Sequence, residues 1–287
     1  MILGEHREIV IENIRTHAEH GDFHSKVEPG DPVLTPEESR WITRQYLENR
    51  NTPTYRIKSA IAVGMAQAAT RKINRHTEIR GLEKIPSDLR GVLITSNHFS
   101  PLENTVIRHL TNRLGRRKLS IISQTTNFAM PGAVGFLMNY ADTIPISADP
   151  HYLARDFHAV LKEKLVDRGE AVLLYPEQEM WFNYRKPRPP KNGAYFYAAK
   201  LGVPILSCFV EMEDLPEDDT PEFRQVRYIL HVLGLLEPRR DATTRENMEY
   251  MAAADYDLKK ACYERVYGKA LTYQFEPDDI AGWKGAT

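Results

Sequence analysis

From residue 76 onward the chain alternates between short apolar or β-branched runs and segments of helical composition, and few architectures accommodate that rhythm. The runs cover 78–82, 91–96, 119–123, 143–147, 171–175, 203–210 and 226–235, punctuated by Gly, Pro and Asp, the signature of strands. Between them, 101–114, 131–140, 150–168 and 193–201 are helical in character. A helix between two strands makes a crossover, which leaves those strands parallel. The alternation therefore predicts an α/β fold: a single sheet of about seven mostly parallel or mixed strands covered by helices.

The first 75 residues have another texture. Thr35-Pro36-Glu37-Glu38 is a capping box with proline at the first helical position, so a helix starts there and runs to residue 50. Asn51-Thr52-Pro53 breaks it, and an alanine-rich helix comes next over 55–74. The chain is thus divided into an N-terminal helical extension, 1–75, and an α/β domain, 76–287, closed by a helix over 243–266. The acidic stretch 211–222, with Pro216 and Pro221, reads as a surface loop, and the last dozen residues read as loosely ordered.

Charge narrows the partners. The 38 basic and 39 acidic residues leave a formal net charge of -1, which argues against nucleic acid, whose binding shows as a basic excess. Cys208 and Cys262 have no paired spacing, so neither a disulfide framework nor a metal site is expected, and the cytoplasm is the default compartment. The first residues are charged early, unlike a signal peptide. Residues 119–141 lack charge but are interrupted by Ser, Thr, Asn, Gln, Pro and Gly, so no spanning helix is predicted there.

Three segments carry chemistry. Asn97-His98-Phe99-Ser100-Pro101-Leu102-Glu103 comes directly after the apolar run 91–96 and sets an imidazole at a strand end, with a carboxylate in the first turn of the next helical segment. Imidazole is the natural general base near neutral pH, and an acid held close can orient it. The same residues also make ordinary local structure, because Ser100 and Glu103 fit a capping box. The second segment, Tyr175-Pro176-Glu177-Gln178-Glu179, ends the apolar run 171–175, where α/β proteins place their sites. The third is the proline-stiffened loop Arg185-Lys186-Pro187-Arg188-Pro189-Pro190-Lys191-Asn192-Gly193. It reads either as a solvated loop or as an anion-binding rim with four cations pointing outward. A nucleophile elbow, a Walker loop, a dinucleotide fingerprint and an H-E-x-x-H helix are all missing.

In this order, the segments resemble the glycerophospholipid (lysophospholipid) acyltransferase family. Asn97-His98 through Glu103 is similar to its Asn-His-x4-Asp block, with Glu for Asp. Gly135-Phe136 leading to Thr143-Ile144-Pro145-Ile146 looks like its second block, and Tyr175-Pro176-Glu177-Gln178-Glu179 like its Phe-Pro-Glu-Gly-Thr block. Lys191-Asn192-Gly193-Ala194 and Val203-Pro204-Ile205 are similar to the family's next helix and strand. The resemblance covers residues 76 to 210. It departs from the family where Ala148, Gln178 and Met180 stand at positions that usually hold Arg, Gly and Arg. That puts glycerol 3-phosphate or lysophosphatidate in doubt as acceptor, unless Arg185, Lys186 or Lys191 compensates.

What the resemblance implies is acyl transfer from a thioester, acyl-CoA or acyl carrier protein, to the hydroxyl or amine of a lipid or small-molecule acceptor. No permanently bound cofactor is implied. His98 would be the general base and Glu103 its orienting acid. Asn97, Pro176, Glu177, Gln178, Arg185, Lys191 and Gly193 would contact substrate, with backbone N–H groups near Glu177 and Gln178 receiving the oxyanion. Residues 128–138 would either wall the acyl groove or be ordinary core, and Trp181, Phe182 and Tyr184 suggest an apolar or ring-like acceptor. Two rivals stay open: a thioester hydrolase in which His98 activates water, and an inactive lipid-binding relative. Finally, Ala60-Ile61-Ala62-Val63-Gly64-Met65-Ala66 lies between Arg56 and Lys58 on one side and Arg71, Lys72 and Arg75 on the other. Such a helix either packs on the sheet or lies in a headgroup layer, which would make the protein peripheral on the inner membrane face.

Overall fold

Seven strands form one sheet in the order β1–β7–β6–β2–β5–β3–β4. They are β1 (Glu78–Arg80), β2 (Val92–Thr95), β3 (Leu119–Gln124), β4 (Thr143–Ile146), β5 (Ala171–Leu174), β6 (Ile205–Asp218) and β7 (Arg224–Leu236). The computed structural model describes residues 7–30, 32–115 and 118–285. Strands β6, β2, β5, β3 and β4 are mutually parallel; β7 is antiparallel to β6, and β1 pairs parallel with β7. The mixed sheet expected from the alternation is therefore present, with its reversed strands at one edge.

Burial on both faces explains the unbroken apolar runs. Leu93 and Val172 point into a core shared with Tyr195, Ala198 and Met251. Their neighbours Ile94 and Leu173 point into the opposite core, against Val106, Ile107 and Leu110. The helices supplying these faces are α4 (Asn104–Arg113), α8 (Gly193–Leu201) and α9 (Thr244–Tyr267). Each side chain of this size, fully buried, contributes about 1.5–3 kcal/mol. Beneath β2, Asp255 of α9 accepts from Thr95 Oγ1 at 2.9 Å, the Tyr195 hydroxyl at 2.5 Å and Lys259 Nζ at 2.8 Å. This buried network ties α8 and α9 to the strand that leads into His98.

The first helices are α1 (Arg7–His20), α2 (Pro36–Asn49) and α3 (Pro53–Ile73). Thr35 and Glu38 form the expected capping box at the start of α2. Val10, Ile11 and Ile14 of α1 pack with Trp181, Phe182 and Tyr184 in a third core, while Tyr46 of α2 joins the core of α8 and α9. Two short helices, α5 (Thr125–Phe128) and α6 (Gly132–Tyr140), come after β3. Gly135 in α6 is required by close approach: a Cβ there would lie 1.7 Å from the Met130 carbonyl oxygen. The segment before β5 has its α-helical core at α7 (His158–Lys162), between π-helical turns.

Several expectations need correction. Residues 211–218 are not a loop but the outer half of β6, because Glu211, Met212, Glu213 and Asp214 continue the ladder with β7. The first turn of the expected helix 101–114 is not α-helical: Ser100 Oγ accepts from Leu102 N and the Glu103 carboxylate reaches back to Phe99 N and Ser100 N. The C-terminal residues up to 285 are not loose, since Asp279, Ile280 and Ala281 are buried and Tyr184 forms a β-bridge with Ile280. Residues 286 and 287 of that stretch lie outside the described residues. No helix among the described residues is long and apolar enough to cross a membrane.

Candidate active site

Sheet register brings the first and second of the three segments together. Thr95 of β2 lies opposite Leu174 of β5, so His98 and Glu177 each stand three positions beyond a paired residue. Glu177 Oε2 accepts the His98 backbone N–H at 3.2 Å. On the other side Thr95 pairs with Ser207 of β6, and Asn97 extends that pairing with its side chain. Its amide nitrogen donates to Val210 O at 3.1 Å, and its oxygen accepts from Val210 N at 2.8 Å. Asn97 is thus a buried clamp on the strand end rather than a substrate contact, and both bonds hold the His98 loop against β6.

Glu103 is buried and organises the loop around the imidazole. One oxygen is hydrogen-bonded to His98 Nδ1, and the other accepts from Phe99 N and, at 2.8 Å, Ser100 N. Its two oxygens thus join the ring to the backbone of the loop, fixing the imidazole's orientation. Tyr175 lies flat on the imidazole, centroids 4.3 Å apart and planes 8° from parallel. Burial, then the Glu103 charge, push its phenol well above its ordinary value, so it stays neutral. With Nδ1 committed, Nε2 is the ring's working nitrogen. It has no hydrogen-bond partner among the described residues, and 21% of the His98 side chain remains exposed. An oriented imidazole with one open nitrogen can take a proton from a bound hydroxyl, amine or water.

The loop 185–191 is folded inward, contrary to the expected cationic rim. Arg185 pairs with Asp214, Lys186 with Asp279 at 2.6 Å, and Arg188 with Glu177 at 3.0 Å. The reason is electrostatic: each cation meets a carboxylate from another element, so the buried charges are paired. Arg185 is therefore removed from substrate contact, and neither it nor Lys186 replaces the missing arginines at Ala148 and Met180. Arg188 also stacks on Trp181, 4.4 Å from the ring centroid. Trp181, Phe182 and Tyr184 are core residues against α1, not an acceptor wall.

Glu177 is likewise internal; besides His98 N it accepts from Arg188 N at 3.0 Å and Nε at 3.2 Å. It is bonded to the His98 backbone and to Arg188, and Pro176 beside it is buried. Gln178, Lys191 and Gly193 remain on the surface. Gln178 has φ of 66°, where the resembling motif has glycine. The left-handed conformation costs a side-chain-bearing residue about 1–2 kcal/mol. Its backbone N–H is bonded to Tyr175 O at 3.1 Å, and that of Glu179 to Glu177 O at 2.9 Å, so these two donors are engaged within the turn rather than aimed at an oxyanion. Cys208 offers no rival nucleophile, since burial pushes its thiol up to about 12.

Comparison with known proteins shows what the chain is similar to. Residues 76–211 match the family model for acyltransferases. Over this segment, just under half of its length, the chain is similar to that family. It is 30% identical over 131 residues to the chloroplastic 1-acyl-sn-glycerol-3-phosphate acyltransferase BAT2 of Brassica napus. That match takes in 45% of this chain and 36% of the plant protein, so the chain spans about a third of the length of that relative. The crystal structure of the 1-acyl-sn-glycerophosphate (LPA) acyltransferase PlsC from Thermotoga maritima superposes with a TM-score of 0.52 at 17% identity. The superposition covers 81% of this chain and 90% of PlsC, a likeness of fold.

Sequence reading missed three contributors. Tyr175 was visible only as part of a motif, and nothing marked its stacking role. Arg188 was grouped with outward cations, although its paired carboxylate, Glu177, was already in view. Residues 23–25 were not singled out, yet Phe23 O accepts from Arg188 Nη1 at 2.8 Å and Ser25 O from the Trp181 indole at 3.0 Å. No local pattern in that segment signals such contacts.

Proposed function

We propose that this protein transfers a fatty acyl group from an acyl-CoA or acyl carrier protein thioester to the hydroxyl of a lysolipid. The observation that carries the reading is His98, fixed through Nδ1 by buried Glu103 and open at Nε2. Nε2 takes the proton as the acceptor oxygen attacks the thioester carbonyl. The tetrahedral intermediate collapses with cleavage of the C–S bond, and the imidazolium returns the proton to the departing thiolate. Glu103 stabilises the imidazolium between these steps. The acyltransferase names of the similar proteins support a lysophospholipid acceptor.

A membrane surface is the natural source of such an acceptor. Ile57, Ile61 and Met65 of α3 are exposed, with Trp41 of α2 and Val134 of α6 also exposed. Arg56, Lys58, Arg71 and Lys72 lie on the same helix. Apolar side chains among cations suit an anionic bilayer, so the protein works as a peripheral membrane enzyme on the cytoplasmic face. A cavity of about 430 Å³ lies between α2, α3 and α6, lined by Trp41, Tyr46, Tyr55, Phe128 and Tyr140. It is the candidate acyl groove, and Phe128 and Ala129 supply the expected wall.

The test incubates pure protein with labelled acyl-CoA or acyl carrier protein and a lipid extract, and identifies by mass spectrometry what gains the acyl mass. An acylated lysolipid supports the proposal. Free fatty acid alone, released equally with or without acceptor, would establish the hydrolase instead.

A further inference from the structure

Three cations of the loop 185–191 are consumed by internal carboxylates, but the fourth is not. Lys191 is exposed, and its ammonium makes no ion pair among the described residues. Its backbone N–H is fixed on Pro176 O at 2.8 Å. The next carbonyl along the chain, that of Glu177, is engaged by His24 Nδ1 at 3.3 Å. His24 is held there from both sides, because the Phe23 and Ser25 carbonyls are bound by Arg188 and Trp181. The N-terminal segment thus delivers an imidazole to the turn whose carboxylate fixes His98.

A carbonyl only accepts, so His24 Nδ1 carries the hydrogen and Nε2 is left as the free functional atom. It has no hydrogen-bond partner among the described residues. Burial, then Lys191 and Arg188, hold the ring below its ordinary value, while the Glu177 carbonyl and carboxylate act the other way. An incoming anion would reverse that balance. It would accept from Lys191 and draw a proton onto His24, making a second charged donor.

We infer that His24 and Lys191 together bind the anionic, phosphate-type group of the acyl acceptor beside the His98 base. The acceptor half of this assignment rests on the transferase reading; the anion site rests on the geometry of the turn. Gln178, next to Glu177 in the chain, is also exposed. No other cation of the 185–191 loop is available, and positions 148 and 180 hold alanine and methionine. An acceptor without an anionic group would leave both side chains unused.

The test uses the full chain and two readouts. In the first, the His24 ring resonance, assigned by its loss in His24→Gln, is followed by NMR during titration with inorganic phosphate, glycerol 3-phosphate and lysophosphatidate. Each is expected to raise the pH at which His24 titrates, and Lys191→Ala should remove most of that shift. In the second, His24→Gln and Lys191→Ala should each raise KM for lysophosphatidate about tenfold or more, with a much smaller change in kcat. The KM for monoacylglycerol should move far less. A His24 signal blind to all three phosphates, with KM unchanged in both variants, overturns the inference while leaving acyl transfer intact. A phosphate-dependent shift in a protein that transfers no acyl group supports the anion site and sinks the transferase reading instead. A response to inorganic phosphate but not to lysophosphatidate overturns the assignment to a lipid acceptor.

Discussion

Replacing Glu103 by glutamine changes one atom and should disable the base by reversing the tautomer of His98. In the parent, one carboxylate oxygen faces His98 Nδ1 while the other accepts two backbone N–H groups, Phe99 and Ser100. Glutamine keeps a single oxygen. Left on the two backbone donors, it turns its NH2 group toward Nδ1, which must then be an acceptor. The ring hydrogen moves to Nε2, the atom that has to receive the substrate proton. The opposite orientation would set NH2 against two buried N–H groups and is costlier. The rate should fall about 100- to 10,000-fold. Stability should fall by only about 1–3 kcal/mol, because charge-assisted bonds become neutral ones. Glu103→Asp keeps the charge but is one methylene shorter, so partial activity is expected. Thiol release from acyl-CoA gives the rate, and long-range nitrogen–proton NMR gives the tautomer. Parental turnover in the Glu103→Gln protein, with Nε2 protonated, would refute the reasoning.

The same contacts set four further outcomes. Glu177→Ala strands Arg188, whose side chain is 1% exposed, so a loss of about 3–5 kcal/mol is expected in denaturant titrations, together with lower kcat. Asp255→Asn weakens the buried Lys259 pairing under β2 by a comparable mechanism, but activity per folded molecule should persist; a selective loss of kcat would contradict that placement. Gln178→Gly should shift the denaturation midpoint upward by about 1 kcal/mol of added stability, since glycine relieves the positive φ. Binding to anionic vesicles in flotation should weaken with salt and fall in Ile61→Glu and in the Arg71/Lys72/Arg75 neutralised protein. No flotation even at low salt would sink the interfacial reading.

The strands and the His98–Glu103 pair were legible because each is a local pattern. Runs such as Val92–Thr95 are apolar on both faces, and the spacing from His98 to Glu103 closes within a single loop. The cationic loop misled because its prolines and charges are what a solvated segment also has. Its partners, Asp214, Asp279 and Glu177, come from distant elements, and only the fold brings them close. The acidic run from Glu211 misled for the converse reason: polar side chains on the outer half of the β6–β7 hairpin look like loop composition, while the backbone pairing with β7 is invisible in sequence. His24 was unreadable because its role depends on a carbonyl 153 residues away.

The most direct measurement of the central claim tracks product formation from labelled acyl-CoA and a lysophospholipid acceptor, in the parent and in His98→Ala, after circular dichroism has verified that both are folded. The parent should convert the acceptor to its acylated form, with free fatty acid a minor product. His98→Ala should lose that conversion about 100- to 10,000-fold with its fold intact. Equal rates of acceptor acylation by the two proteins would contradict the assignment of His98 as the base.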